Sequence, residues 1–176
     1  MKQASRFMPK YVPKKTSRPV IIAFFAIVVA IAIYQPWCLP AISGIALLVI
    51  VWGAIGQSEV ERHFQVLCRE RSGLSICEFA RDFDLKVVDT WIIRAVYEQL
   101  QAALPTKVNV PIKASDGLFD TLMLDEDDID LDLVDEIAQR TSRSLAGYES
   151  NPYYGKVTTV RNLVLFFNHQ ARASAT

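Results

Sequence analysis

Charged side chains are absent from residues 19–56, a run of 38 residues in a chain of 176. Cysteine and histidine are also scarce, with three and two copies, and the seven glycines are scattered. The odd cysteine count and the lack of clustered histidine argue against a disulfide framework and against a zinc site. No glycine-rich loop is present for phosphate binding, and no serine or cysteine has a partner base at a recognisable spacing. We therefore predict a protein that is not an enzyme, with no cofactor and no metal.

The uncharged run predicts a transmembrane hairpin. A single helix over residues 19–56 would be about 57 Å long, much longer than the bilayer core of about 30 Å. Pro36 and Pro40 interrupt the run and are typical of a tight turn. We predict two spans in the lipid bilayer, about Val20–Tyr34 and about Ala41–Ala54. A cleaved signal peptide is the competing interpretation, but the cleavage pattern is poor and a second apolar run follows at once.

Residues 1–18 form a basic arm that contains six bases and no acid. Its bases are Lys2, Arg6, Lys10, Lys14, Lys15 and Arg18. The positive-inside bias favours a cytoplasmic position for this arm, and two crossings return the chain to the same side. The sequence therefore predicts a multi-pass protein of a bacterial inner (plasma) membrane, with both termini in the cytoplasm.

Residues 57–86 are predicted to form linker helices between the hairpin and the folded domain. Ser58 with Glu61, and Ser75 with Glu78, have the spacing of capping boxes and mark two helix starts. The first of these helices is predicted over residues 57–71 and the second over residues 74–83. A third helix, over residues 87–104, is indicated by apolar residues at helical spacing.

The short helix and longer helix in residues 74–104 resemble the order of a helix-turn-helix DNA reader. Binding to the DNA backbone requires a basic face. In the longer helix Arg94 is offset by Asp89 and Glu98, so no such face forms. We expect no nucleic acid partner and predict a packed pair of helices, and a membrane-tethered DNA-binding regulator is left as an alternative.

Residues 116–137 hold ten acids and no base, and apolar residues are threaded through them. We call this the acidic segment. Ile129, Leu133 and Ile137 step by four, so a helix from about Asp127 would bury them on one side and leave the acids exposed. A disordered acidic run would contain few large aliphatic residues. The sequence predicts a folded acidic helix.

A loop with one short helical turn is predicted over residues 139–155, and a last helix is predicted from Val160 to about Gln170. Thr158 and Thr159 suit its N-terminal cap. The side chains expected in the core are Leu163, Val164, Phe166 and Phe167. Residues 172–176 are predicted to form a flexible tail.

Over residues 87–171 the chain resembles an acyl carrier protein. The fragment Ile112–Leu118, followed by Leu122–Asp125, is similar to the carrier loop that leads into the second helix. The fragment Gly155–Val160, followed by Phe167–Gln170, is similar to the start and end of the last carrier helix. The resemblance implies an acyl-carrier-like helix bundle joined to the transmembrane hairpin.

The acidic segment departs from the carrier pattern at the attachment site. Carriers have a serine after the aspartate that begins the second helix, and this serine bears phosphopantetheine. Here Glu126 follows Asp125, and a carboxylate cannot accept the phosphodiester arm. Met123 also replaces the usual glycine of that turn. The chain is more similar to a bacterial domain-of-unknown-function family of acyl-carrier-like proteins with an acidic second helix that lacks the serine.

The prediction is a membrane-anchored adaptor or regulatory protein that docks through the acidic segment onto an unknown protein partner with a basic surface. Complementary charge steers such an association and fixes its orientation. The candidate contacts are Asp125, Glu126, Asp127, Asp128, Asp132, Asp135 and Glu136. The alternative from another class is an acyl carrier, or an accessory protein of lipid or acyl metabolism, modified at another residue.

Overall fold

The structure, a computed structural model, describes residues 4–12, 39–125, 129 and 133–173. These residues form helices and loops, and no β-strand occurs among them. Two isolated β-bridges join Gly117 to Thr159 and Arg143 to Arg172. The prediction of an all-α protein is confirmed for this part of the chain. The predicted first span, Val20–Tyr34, lies outside the described residues.

The helices follow the predicted order along the chain. They are α1 (Leu39–Glu70), α2 (Ile76–Arg81), α3 (Thr90–Ala103), α4 (Val134–Thr141) and α5 (Val160–His169). Single turns of 3-10 helix occur at Ser5–Phe7 and at Tyr148–Ser150. The second of these is the short turn predicted between the acidic segment and the last helix.

The chain divides into two compact units, which are described separately. The first unit contains Met1–Tyr11 and His63–Thr176, and the second contains Val12–Arg62. The sequence had separated the basic arm and the linker helices from a bundle at residues 87–171. The structure groups the start of the arm and most of the linker with that bundle, because apolar residues in both are buried in it.

Helix α1 is continuous over 32 residues, which corrects the predicted boundary near Gln57. Ser58 and Glu61 lie inside this helix, so they do not form the predicted capping box. The uncharged run ends at residues 53–56. No proline or glycine stands in the residues just after it to stop the helix, and Gln57 and Glu59 are good helix formers. Pro40 is in the first turn, where its missing N–H costs no helical hydrogen bond.

The part of α1 that lies in the second unit exposes its apolar side chains. The exposed fractions are 64% for Leu47, 65% for Leu48 and 79% for Trp52. By length and composition, Ser43–Glu70 is able to cross a membrane, with a mean hydropathy of 1.5 over its apolar window. A core helix of a soluble protein passes the same test, but such a helix is mostly buried, whereas this window is 0% buried.

The helices of the first unit begin at side-chain caps. The predicted capping box of Ser75 and Glu78 is confirmed, and the Ser75 amide donates to Glu78 Oε2 at 2.8 Å. Helix α3 begins later than predicted, because Asp89 accepts from the Trp91 amide at 3.1 Å. Thr159 caps α5 as predicted, accepting from the Asn162 amide at 3.3 Å. These caps satisfy amides that have no partner within the helix.

Helix α3 is the centre of the first unit and packs against α2, α4, α5 and the turn Ser5–Phe7. Its buried face includes Ile92, Val96 and Leu100, each at most 1% exposed. The four side chains predicted for the core in α5 are all buried. The loop between α3 and α4 is also packed, with its core side chains Val110, Ile112, Ala114, Leu118, Leu122 and Leu124.

Candidate functional site

The acidic segment has a buried apolar side in the described structure. Ile129, Leu133 and Ile137 are 6%, 1% and 0% exposed, as their spacing of four predicted. Helix α4 covers Val134–Thr141, and the two described residues just before it, Ile129 and Leu133, are also helical. The predicted start near Asp127 lies outside the described residues. The segment is therefore held in the core at three points.

The candidate contact residues have different surroundings. Asp125 and Asp135 are exposed. Glu136 is half-buried and accepts a hydrogen bond from Gln99 Nε2 of helix α3. One of its carboxylate oxygens is therefore already hydrogen-bonded inside the fold. The predicted contacts Glu126, Asp127, Asp128 and Asp132 lie outside the described residues.

Arg140, the first base after the acidic segment, does not neutralise its surface. The residue is 6% exposed and lies among groups of the first unit. Its guanidinium donates to Gln99 Oε1 at 2.7 Å, to Glu98 Oε2 at 2.5 Å and to the Pro9 carbonyl at 3.3 Å. This cation is therefore engaged inside the fold.

Glu98 links Arg140 to Arg94 in a charged network. Arg94 donates to the other carboxylate oxygen of Glu98 at 2.8 Å and to Ser5 Oγ at 3.4 Å. Burial alone would raise the pKa of Glu98, but the hydrogen bonds from Arg140 and Arg94 outweigh it, and the pKa is below its ordinary value. The network therefore favours a charged Glu98.

The same network holds the start of the basic arm. Met8 is 8% exposed, the Pro9 carbonyl accepts from Arg140, and Ser5 Oγ accepts from Arg94. The sequence had treated this arm as a separate cytoplasmic segment. The apolar residues between the bases, such as Phe7 and Met8, were the available signal that part of the arm packs on the folded unit, but the sequence did not show which of them is buried.

Asp116, at the start of the acidic segment, is buried and paired. It is 3% exposed and forms a two-point ion pair with Arg71, with distances of 2.7 and 2.9 Å. The Asp116 carboxylate also accepts from the Lys113 amide at 2.8 Å, and Arg71 donates to the Pro111 carbonyl at 3.0 Å. The pair ties the residue that follows α1 to the loop before the acidic segment.

The last turns of α1 are also buried in the first unit, and one of them contacts the acidic segment. Phe64 is 0% exposed and Leu67 is 9% exposed. His63 Nε2 lies 3.0 Å from the Thr121 carbonyl, where it can act as a donor. The sequence predicted a surface or interfacial role for His63 and a modest apolar stripe for this helix. The structure buries Phe64 and Leu67 of this stripe in the core, whereas Val66 is 47% exposed.

Met123 has a positive φ of 53°, the left-handed conformation that glycine adopts most easily. The side chain is 39% exposed. The resemblance to acyl carrier proteins implies glycine at this turn. The backbone here has the conformation that favours glycine, although the residue is methionine.

A cavity of about 670 Å³ opens beside α4 and α5. Its lining is mostly apolar and includes Phe119, Ile129, Val134, Leu145, Leu163 and Phe166. Tyr148 and Tyr154 also line it, with ring centroids 5.4 Å apart. The size is in the range of pockets that enclose small apolar ligands.

The α2 and α3 pair differs from a helix-turn-helix reader. Residues 82–89 connect the two helices, which is eight residues, whereas the turn of that motif has about three or four. Arg94 is engaged with Glu98 and Ser5. This geometry does not favour the DNA-binding alternative.

Among the described residues, no group of three or more His, Cys, Asp or Glu is arranged to hold a metal ion. Comparison with known proteins adds no relative, since no family model, curated protein or solved structure matches this chain.

Proposed function

We propose that this chain is a membrane-anchored, non-catalytic interaction protein whose acidic segment docks onto a basic surface of a partner protein. The observation that carries the proposal is the one-sided charge of the segment. Ile129, Leu133 and Ile137 are buried, Asp125 and Asp135 are exposed, and Arg140 is paired inside the fold. Such a surface attracts a positively charged patch and repels an acidic one.

Two features support the membrane anchor. Helix α1 exposes large apolar side chains over the window that is long enough to span a bilayer, and a bilayer core would remove them from water. The run without charge extends back from α1 to Pro19, which leaves length for a second span. We propose that the two spans form the hairpin.

The contacts of the basic arm support an even number of crossings. Residues on both sides of the uncharged run belong to one folded unit, because Met8 and Pro9 contact it from one end and Phe64 from the other. Two segments that pack together in water must be on the same side of the membrane. With the bases of the arm, the positive-inside bias places that side in the cytoplasm of a bacterium.

The acyl-carrier-like bundle is part of the proposal. A long helix α3, a packed loop, the acidic segment with α4, a short turn and α5 follow one another in the order that the resemblance implies. The left-handed Met123 stands where carriers have a turn glycine. Glu126, at the position of the phosphopantetheine serine, is the reason that we propose docking without a prosthetic group.

The cavity between α4 and α5 favours one second candidate function. An acyl carrier, or an accessory protein of acyl metabolism, needs an apolar space next to the acidic segment, and a cavity of about 670 Å³ is there. The mass of the intact protein from its native host separates the two functions, because a carrier would contain the added mass of a phosphopantetheine arm.

The test of docking is affinity capture of the tagged full-length protein from its own membranes. The test variant is Asp125→Lys with Asp135→Lys, and the matched control is Glu70→Lys with Glu149→Lys, two acids that are also exposed. We expect the partner to bind about tenfold more weakly to the test variant, as like charges oppose docking. Wild-type binding should also weaken with salt.

Circular dichroism must show the same helical content in both variants. Equal capture of the partner by the wild type and the folded test variant would contradict docking through the acidic segment. Loss of the partner in both variants would assign the effect to net charge, which also contradicts a specific docking surface.

A further inference from the structure

The basic arm has an outer face that the docking function does not use. Within residues 4–12, Met8 is buried, whereas Arg6, Phe7, Lys10 and Val12 are exposed. Within the first unit, the arm thus has an inner contact at Met8 and an outer face, made of Arg6, Phe7 and Lys10, that combines cations with an apolar ring.

The outer face has the composition of a membrane-interface segment. Phe7 is 58% exposed and Val12 is 71% exposed, and the Arg6 guanidinium lies 4.9 Å from the centre of the Phe7 ring. A bilayer surface offers a layer of charged headgroups with an apolar layer beneath it, so it accepts both kinds of side chain. A dissolved polyanion would use the cations and leave Phe7 in water.

The position of the arm in the sequence points to the same surface. Lys14, Lys15 and Arg18 follow the described arm and precede Pro19, where the uncharged run starts. Clusters of four to eight bases beside a membrane span are typical of segments that bind anionic lipids, at about 1 kcal/mol for each base near the surface. The acids of the chain begin only at Glu59, so none offsets these bases locally.

We infer that the outer face of the basic arm binds the headgroups of anionic phospholipids, with Phe7 inserted at the interface. This inference rests on the proposed membrane anchor and does not depend on the docking partner. Arg140 and the burial of Met8 hold the inner side of the arm, so lipid binding occurs while the arm stays on the folded unit.

The test uses the full-length protein in nanodiscs of phosphatidylcholine, with and without phosphatidylglycerol. An amine-reactive, water-soluble reagent modifies exposed lysines, and mass spectrometry gives the rate for each one. We expect Lys10 to react about fivefold more slowly with the anionic lipid present, which corresponds to one base at the surface. Exposed Lys107 and Lys156 are the internal controls and should keep their rates.

Two variants test the cation and the aromatic ring of the outer face one at a time. Arg6→Gln removes a cation and Phe7→Ser removes the inserted ring, and both positions are exposed, so the fold should be retained. Each should reduce the protection of Lys10, and high salt should abolish it. Equal rates for Lys10 in both kinds of nanodisc would overturn the inference.

Two added anions distinguish the source of any protection. If glycerol phosphate in phosphatidylcholine nanodiscs protects Lys10 as well as phosphatidylglycerol does, the arm binds free phosphate and the lipid inference fails. The same protection by a short oligonucleotide would assign the arm to nucleic acid instead. The anchor is tested separately, because extraction of the protein from membranes by alkaline carbonate would contradict it without involving the arm.

Discussion

The two segments that flank the uncharged run differ in how firmly they are tied to the first unit. On the C-terminal side, the end of α1 contributes Phe64 to the core and is followed by the buried pair of Arg71 with Asp116. On the N-terminal side, the arm contributes Met8, and its polar contacts are single hydrogen bonds of 3.3 and 3.4 Å from Arg140 and Arg94. The end of helix α1 is therefore part of the core, whereas the described arm, residues 4–12, is held by fewer contacts; we call it the strap.

The largest expected effect is at Phe64. Because its side chain is 0% exposed, Phe64→Ala should lower the free energy of unfolding of the first unit by about 3–5 kcal/mol, through lost burial and the cavity left behind. The matched control is Leu48→Ala, in the exposed part of the same helix, where the change should be within about 0.5 kcal/mol. Chemical denaturation in detergent gives both values. Similar losses in the two variants would remove the distinction between the core part of α1 and its exposed part.

The ion pair of Arg71 and Asp116 should have the next largest effect. Arg71→Met leaves the Asp116 carboxylate buried without its cation and should cost about 3 kcal/mol. The double variant Arg71→Met with Asp116→Leu removes the buried charge as well and should recover part of the loss. Denaturation of both single variants, Arg71→Met and Asp116→Leu, and of the double variant measures the coupling energy. If the double variant loses the sum of the two single losses, the pair does not tie α1 to the loop.

The strap is expected to respond to Met8→Ala with a local change. The substitution removes the buried apolar contact of the arm and should lower the free energy of arm opening by about 1 kcal/mol, with less effect on global unfolding. Hydrogen exchange of residues 4–12 in the full-length protein reports the opening. The exposed neighbour Phe7→Ala is the control. A global loss as large as that of Phe64→Ala would show that the arm is part of the core after all.

The smallest effect is a pH dependence of the strap. The folded pKa of Glu98 is lowered from 4.5, so its contribution to stability is fully present above that value and is lost as the pH falls through the folded pKa. Protonated Glu98 holds Arg140 and Arg94 less well, and these two side chains bind Pro9 and Ser5. We expect hydrogen exchange of the arm to rise in acid before the core unfolds.

Glu98→Gln tests the assignment of this pH dependence. The variant should have the faster arm exchange already at pH 7, and the acid-dependent step should be absent from it. An unchanged acid step in the variant would assign the titration to another group and leave the network without a role in holding the strap.

Local patterns in the sequence were sufficient for much of the helical fold. The capping box at Ser75, the cap at Thr159 and the spacing of Ile129, Leu133 and Ile137 each involve residues within one or two turns, and the structure confirms all three. The boundary near Gln57 was wrong: Gly56 and Ser58 suggest a stop and a start there, but the helix continues through both residues.

The sequence by itself determined the class of structure, the charge of the acidic segment and the apolar run, because these depend on residue type and short-range spacing. The tertiary structure alone decided which charges are paired and which remain exposed. Asp116 pairs with Arg71, 45 residues away, and Arg140 contacts Pro9, 131 residues away. Contacts of such separation leave no periodic mark in the sequence, since they arise only when the core brings distant segments together.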